Sequence, residues 1–120
     1  MLIRLWPTAQ ACRHARNAVR EFCSSRGLSD VADDAELLTS EVVSNAIRHS
    51  DGMLTVLFVR ANNTIAVAVS DNNPQVPSIP TAAPDVLAES GRGLTVLSNI
   101  AGDWGMSPGS GGKTVWFRVP

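Results

Sequence analysis

Three observations predict an α+β domain: a two-layer sandwich in which a mainly antiparallel mixed sheet of about five strands carries three helices on one face. Short runs at 53–60, 64–71 and 113–119 are almost wholly apolar or alternate with period two, as strands do. Two longer stretches, 8–24 and 30–49, carry apolar residues at helical spacing. The elements follow in the order β-α-α-β-β-α-β-β, so hairpins rather than crossovers link most of the strands.

The elements can be justified one by one. Residues 2–6 read as a short strand that Pro7 ends, and Thr8 is placed to cap the next helix. That helix runs to residue 24, with Cys12, Ala15, Val19, Phe22 and Cys23 on one face. Arg13, Arg16 and Arg20 form a basic stripe on another, either a solvated face or a docking surface for an acidic protein. Ser24-Ser-Arg-Gly-Leu28 breaks the pattern. Ser29 or Asp30 then caps the second helix, which Ser50-Asp-Gly52 stops. Residues 53–60 are almost wholly apolar, as in a strand that is central or covered on both faces. Ala61-Asn-Asn63 is a turn that makes a hairpin with 64–71. There Ile65, Val67 and Val69 alternate with Ala66, Ala68 and Ser70, and Asp71 continues the Ile65 row, so a carboxylate ends a core-facing line.

The stretch 72–84 holds four prolines and no periodicity, which makes it a long loop of the kind that serves as a lid or stays disordered. Ser90-Gly-Arg-Gly93 opens a third helix, 94–101, whose Leu94, Leu97 and Ala101 share a face before Gly102 ends it. Residues 103–107 read as a strand and 108–112 as a turn. In the last strand, 113–119, Val115, Phe117 and Val119 alternate with Thr114, Trp116 and Arg118.

The 120 residues form one domain, 1–120, without repeats, and 44% hydrophobic content supplies one core. Ten Lys+Arg against eleven Asp+Glu leave no electrostatic footprint for nucleic acid or an anionic membrane. No apolar run approaches a membrane span, and residues 1–7 are too short for a signal peptide. Cys12 and Cys23 fall on one helix, roughly 16 Å apart and beyond disulfide reach. They read as small core residues of a reduced, cytoplasmic protein. Two cysteines and two histidines without clustered spacing give no basis for a zinc site.

The stretch richest in chemistry is Glu41-Val-Val-Ser-Asn-Ala-Ile-Arg-His-Ser50, the end of the second helix. Val31, Ala35, Leu38 and Val42 form a narrow apolar stripe, and Asn45 falls inside it. Glu41 and His49 lie at its edges, four residues to either side of Asn45, where helical neighbours meet. Burying such groups costs a few kcal/mol apiece unless each finds a partner. An amide oxygen at Asn45 suits Mg²⁺ that keeps waters and phosphates as its other ligands. Glu41, one turn away, suits acceptance of a proton from a hydroxyl attacking a γ-phosphate. Asp71 suits an exocyclic amine such as that of adenine, though a turn-initiating aspartate reads the same way. A helix start at Gly91, Arg92 and Gly93 suits an anion. Two other signals fail: Gly112-Lys-Thr114 lacks the earlier P-loop glycine and precedes a strand, and Gly91-Arg-Gly93 alone lacks the dinucleotide pattern.

Together these residues resemble a family. Glu41-x-x-x-Asn45-Ala-x-x-His49 is similar to the N box of the GHKL (Bergerat-fold) ATPases. Asp71 matches the adenine-binding aspartate of their second box, Gly91-Arg-Gly-Leu94 their third, and Gly112-Lys-Thr-Val-Trp-Phe117 their closing strand. The motifs Asn45-Ala-x-Arg48-His49-Ser50 and Gly91-Arg92-Gly93-Leu94 resemble more narrowly the actinobacterial anti-sigma factor serine/threonine kinases. The resemblance spans nearly the whole chain, in order. It implies an ATP site with Mg²⁺ on Asn45, the base on Asp71, and Gly91, Arg92, Gly93 and Leu94 on the phosphate side. Arg48 and His49 belong to the same nucleotide-binding set, Thr114 lies near the adenine, and Glu41 is the catalytic base. It further implies an anti-anti-sigma protein as substrate, a sigma factor as partner, and a homodimer through the first strand and helix. The second box departs from the family: Asp71-Asn-Asn-Pro-Gln75 lacks its glycines, and Pro74 stiffens the turn, which bears on nucleotide affinity. A non-catalytic binding module of the same fold is the rival reading. A detached histidine-kinase catalytic domain is disfavoured, because no phosphoacceptor helix pair precedes it and the lid is short.

Overall fold

The chain runs β1 (Leu2–Leu5), α1 (Ala11–Ser25), a 3-10 turn (Ser29–Val31), α2 (Ala32–His49), β2 (Leu54–Ala61), β3 (Thr64–Ser70), β4 (Asp103–Pro108) and β5 (Lys113–Val119). This is a computed structural model that describes residues 1–49, 52–71, 102–108 and 112–119. The expected loop 72–84 and third helix 94–101 lie outside the described residues. The five strands form one sheet in the order β1-β2-β3-β5-β4, antiparallel at every step. The α+β architecture read from the sequence is the one observed, with two α-helices among the described residues.

Local chemistry sets the element ends. α1 begins three residues after Thr8, because Thr8 shapes the turn that leads in rather than capping the helix itself. Its hydroxyl accepts from the Gln10 N–H at 3.3 Å and its carbonyl from the Ala11 N–H at 3.0 Å. At the other end Gly27 takes φ 69°, a left-handed conformation that glycine enters without a Cβ penalty. The Leu28 N–H then donates to the Cys23 carbonyl at 2.8 Å, and both side chains are buried, which is a Schellman cap with its apolar contact. Asn62, at φ 57°, turns the two-residue loop between β2 and β3.

The period of two sorts the sheet into two faces. Leu54, Val56 and Phe58, Ile65, Val67 and Val69, and Phe117 and Val119 are buried and belong to the common core. α1 brings Ala15, Val19, Phe22 and Cys23 to this core, and α2 brings Ala35, Leu38, Val42 and Val43. Each large side chain so buried contributes about 1.5–3 kcal/mol. The Phe22 and Phe58 rings, 5.7 Å apart, tie α1 to β2. Burial pushes the Cys23 thiol up from its ordinary range, against the smaller opposite effect of the Arg20 charge, so it stays an inert, protonated core group. Both cysteines are free.

The other face of β2 corrects an expectation. The near-continuous apolar run suggested a strand covered on both sides, yet Leu57 and Val59 are 39% and 45% exposed. The strand is apolar on both faces but next to the edge, and α1 and α2 cover only one of them. Register aligns Leu2, Leu57, Ala68, Trp116 and Gly105 across this open face. The Trp116 ring lies so close over Gly105 that a Cβ there would meet it at 2.9 Å.

Polar contacts seam the two helices. Arg20 pairs with Asp33 at 2.6 Å and with Glu36, Arg16 donates to the Ser40 hydroxyl at 3.3 Å, and Cys12 meets the Ser44 hydroxyl at 3.2 Å. Two of the three arginines in the basic stripe thus face α2. As exposed pairs they add little stability. Among the described residues no helix is long and apolar enough to cross a membrane.

Candidate functional site

Topology brings the chemistry to one end of the sheet. Four residues join α2 to β2, so the C-terminal turn of α2 lies at the end where β2 starts. The antiparallel register puts the end of β3 and the start of β5 there too, since Thr55 pairs Ser70 and Ser70 pairs Thr114. Asn45 sits one turn back from the end of α2. Asp71 follows the last residue of β3.

Asn45 continues the stripe Val31, Ala35, Leu38, Val42 and is itself buried, 8% exposed. Its Oδ1 accepts from the Arg48 guanidinium at 3.1 Å, which offsets the cost of burying the amide. Glu41, one turn earlier, is half-buried and makes no hydrogen bond or ion pair with the described residues. His49 is the last residue of α2; its side chain lies outside the description.

Asp71 keeps the phase of the β3 core row and is 6% exposed. Its N–H donates to the Lys113 carbonyl at 3.0 Å, extending the β3–β5 ladder by one step. The Lys113 N–H donates to Asp71 Oδ1 at 3.3 Å, and Lys113 Nζ stands 3.6 Å from Oδ2. The two side chains are 2% and 9% exposed, so this is a buried ion pair. Sequence reasoning missed Lys113. The signal was available: the alternation that turns Val115, Phe117 and Val119 inward, run back one step, turns Lys113 inward beside Asp71.

The same alternation sends Thr114 to the open face, where its hydroxyl bonds that of Ser70 at 2.8 Å. Of the residues expected at the site, Asp71 and Thr114 lie at this end of the sheet on opposite faces, Arg48 lies in the last turn of α2, which leads there, and Asn45 and Glu41 stand one and two turns further back along α2. Gly91, Arg92, Gly93 and Leu94 lie outside the described residues. Among the described residues no three His, Cys, Asp or Glu side chains gather as a metal site.

Residues 5–119 match the histidine kinase-like ATPase domain family. The chain belongs to that family. This histidine kinase-like ATPase domain is also similar to part of the crystal structure of the RsbU and RsbW domains of Rv1364c from Mycobacterium tuberculosis, with a TM-score of 0.63 over 99% of its own length. Identity there is 19%, and this chain spans 32% of that one, so the likeness is one of fold. No curated protein matches the sequence.

An ATPase family implies a nucleotide site, and the residues present fit one. Asp71 brings to the end of β3 a carboxylate, the type of acceptor that an exocyclic amine needs. Asn45 has a second lone pair beyond the one that Arg48 uses. It suits one protein ligand to a Mg²⁺ whose shell is otherwise water and phosphate.

Proposed function

We propose that this domain is an ATP- and Mg²⁺-dependent protein serine/threonine kinase of the cytoplasm. It phosphorylates an anti-anti-sigma protein and sequesters a sigma factor. The observation that carries the reading is Asn45, an amide kept inside the buried stripe of α2, with the carboxylate of Glu41, which has no partner among the described residues, one turn away. The protein partners rest on the motif resemblance at 45–50 and 91–94.

Each residue has a role. Glu41 accepts the proton of the attacking serine or threonine hydroxyl. Asn45 offers the metal its amide oxygen. Asp71 takes the amine of the base. Arg48, His49 and the 91–94 segment belong to the phosphate side by resemblance, as Thr114 belongs to the adenine side. The metal, when bound, neutralises charge developing on the transferred phosphoryl group. A homodimer through β1 and α1 is part of the proposal; it is supported by Leu2 and Trp6, 58% and 67% exposed at the β1 edge.

The test is transfer of labelled phosphate from ATP to the anti-anti-sigma protein. Glu41→Ala is expected to retain ATP and to lose transfer by at least about a hundredfold, within the range of a general base. Transfer unchanged in that variant would remove Glu41 from the mechanism, and ATP binding without transfer in the wild type would remove the kinase claim. A second reading has its own support. Arg48 and Lys113 engage the two buried acceptors, Asn45 and Asp71, from within the chain. A module of this fold that binds proteins and little ATP is consistent with that, and with the glycine-free turn after Asp71.

A further inference from the structure

The seam between α1 and α2 opens to solvent as a groove. Two cavities of about 360 and 300 Å³ adjoin along it, the first walled by Cys12, Ser44, Ile47 and Arg48 and the second by Arg16, Leu37 and Ser40, next to Arg20 and its carboxylate partners. On α2 the groove follows Leu37, Ser40, Ser44 and Ile47, a spacing that keeps to one helix stripe. Leu37, at one end, is 43% exposed, and Ile47, at the other, is half-buried. Between them the floor is small. Its hydroxyls have partners within the chain, Ser44 with the Cys12 thiol and Ser40 with the Arg16 guanidinium. Covering this floor therefore orphans no polar group and avoids that penalty of burial.

Charge is spread unevenly along the groove. Arg20 is neutralised by Asp33 and Glu36. Arg13 on the outer rim, Arg16 and Arg48 make no ion pair among the described residues, and no carboxylate lines the first cavity. We propose that this groove docks an amphipathic helix of a partner protein, one whose apolar ridge is flanked by carboxylates. The inference goes beyond the nucleotide reading and does not depend on it. Recognition of a helix in a groove uses apolar anchors at i, i+3 or i+4 and i+7. A helix of about three turns matches the roughly 15 Å of α2 between Leu37 and Ile47. Its ridge seats over Ser40 and Ser44, where small side chains let the backbones approach, and its anchors meet Leu37 and Ile47. Its carboxylates meet Arg13 and Arg16 on one wall and Arg48 on the other. The paired end at Arg20 offers an acid little, so the partner's acidic residues concentrate at its opposite end, which sets its direction. A second copy docked through the same groove would set arginine against arginine.

The probe is an acetylated and amidated peptide of about 18 residues, above the length at which isolated helices become marginal. It carries leucine at successive spacings of three and four with glutamate beside them. In one control lysine replaces every glutamate, and in the other glutamine replaces every leucine. Fluorescence anisotropy reads the binding, and amide chemical shifts of the whole chain locate it. The acidic peptide is expected to bind at least about tenfold more tightly than either control, the size of an interface anchor, and to shift amides around Ser40 and Ser44. Leu37→Gln, and Arg13→Gln combined with Arg16→Gln, are each expected to weaken it by at least about tenfold. The arginine effect is expected to shrink in high salt. No binding, equal binding of the lysine peptide, or shifts that gather on the open face of the sheet overturns the proposal. So does light scattering that shows a dimer in which Ser40 and Ser44 are covered, because the occupant is then a second copy. Each result is read without ATP, so failure here leaves the nucleotide site standing, and failure of ATP to bind leaves the groove standing.

Discussion

Thr39 shows how a single residue in α2 departs from the pattern around it. The narrow stripe from Val31 to Val42 is buried as the spacing predicts, but the helix buries a wider arc that adds Ala32, Thr39, Val43 and Ala46. It does so because α2 packs against α1 on one flank and the sheet on the other, which no single-helix pattern reveals. Thr39 is fully buried, and its hydroxyl has no hydrogen-bond partner among the described residues. An unsatisfied buried hydroxyl costs about 1–3 kcal/mol, and an apolar group of the same shape removes that penalty. Thr39→Val is therefore expected to raise unfolding stability by about 1 kcal/mol in denaturant titration; a loss of stability would show that the hydroxyl has a partner after all. Asn45 was legible because it interrupts an apolar line, and Asp71 because it prolongs one. Lys113 was legible as an inward residue, by running the Val115-Phe117-Val119 alternation back one step; its partner was not, because only the pairing of β3 with β5 brings Asp71 beside it.

Among the elements, β2 teaches the complementary lesson. Its composition correctly marks a strand, but apolar residues on both faces do not specify what covers each. Coverage depends on where the helices lie, and α1 and α2 lie on one side only. On the open side Trp116 shields Gly105 of the neighbouring strand, so the β4–β5 pair is held by a ring across a bare backbone as well as by the ladder. Gly105→Ala would force the ring aside, at a cost of about 1 kcal/mol, the low end for overpacking. In a Trp116→Ala background the same substitution is expected to cost nothing, and a double-mutant cycle measures the difference. Equal costs in both backgrounds would mean that the ring does not constrain Gly105. The end of α1 followed directly from Gly27. Its start did not, because Thr8 directs its hydroxyl and carbonyl into a preceding turn.

Across the whole molecule, hairpin connectivity does the positioning. Antiparallel register and one short α2–β2 connection bring a helix end, a strand end and a strand start to the same edge, so residues 42 positions apart, Asp71 and Lys113, share one end of the sheet, and Asn45, 26 positions before Asp71, stands one turn back along the helix that leads there. Those distances were hidden in the sequence, whereas the five-strand count and the layer order were visible in its periodicities. The most direct test of the site is calorimetric titration of ATP with and without Mg²⁺, on the wild type and on Asn45→Ala. Wild-type binding is expected to weaken at least about tenfold, near 1.4 kcal/mol, when Mg²⁺ is withdrawn, and Asn45→Ala is expected to lose that metal dependence. ATP affinity that ignores both the metal and Asn45 would contradict the account.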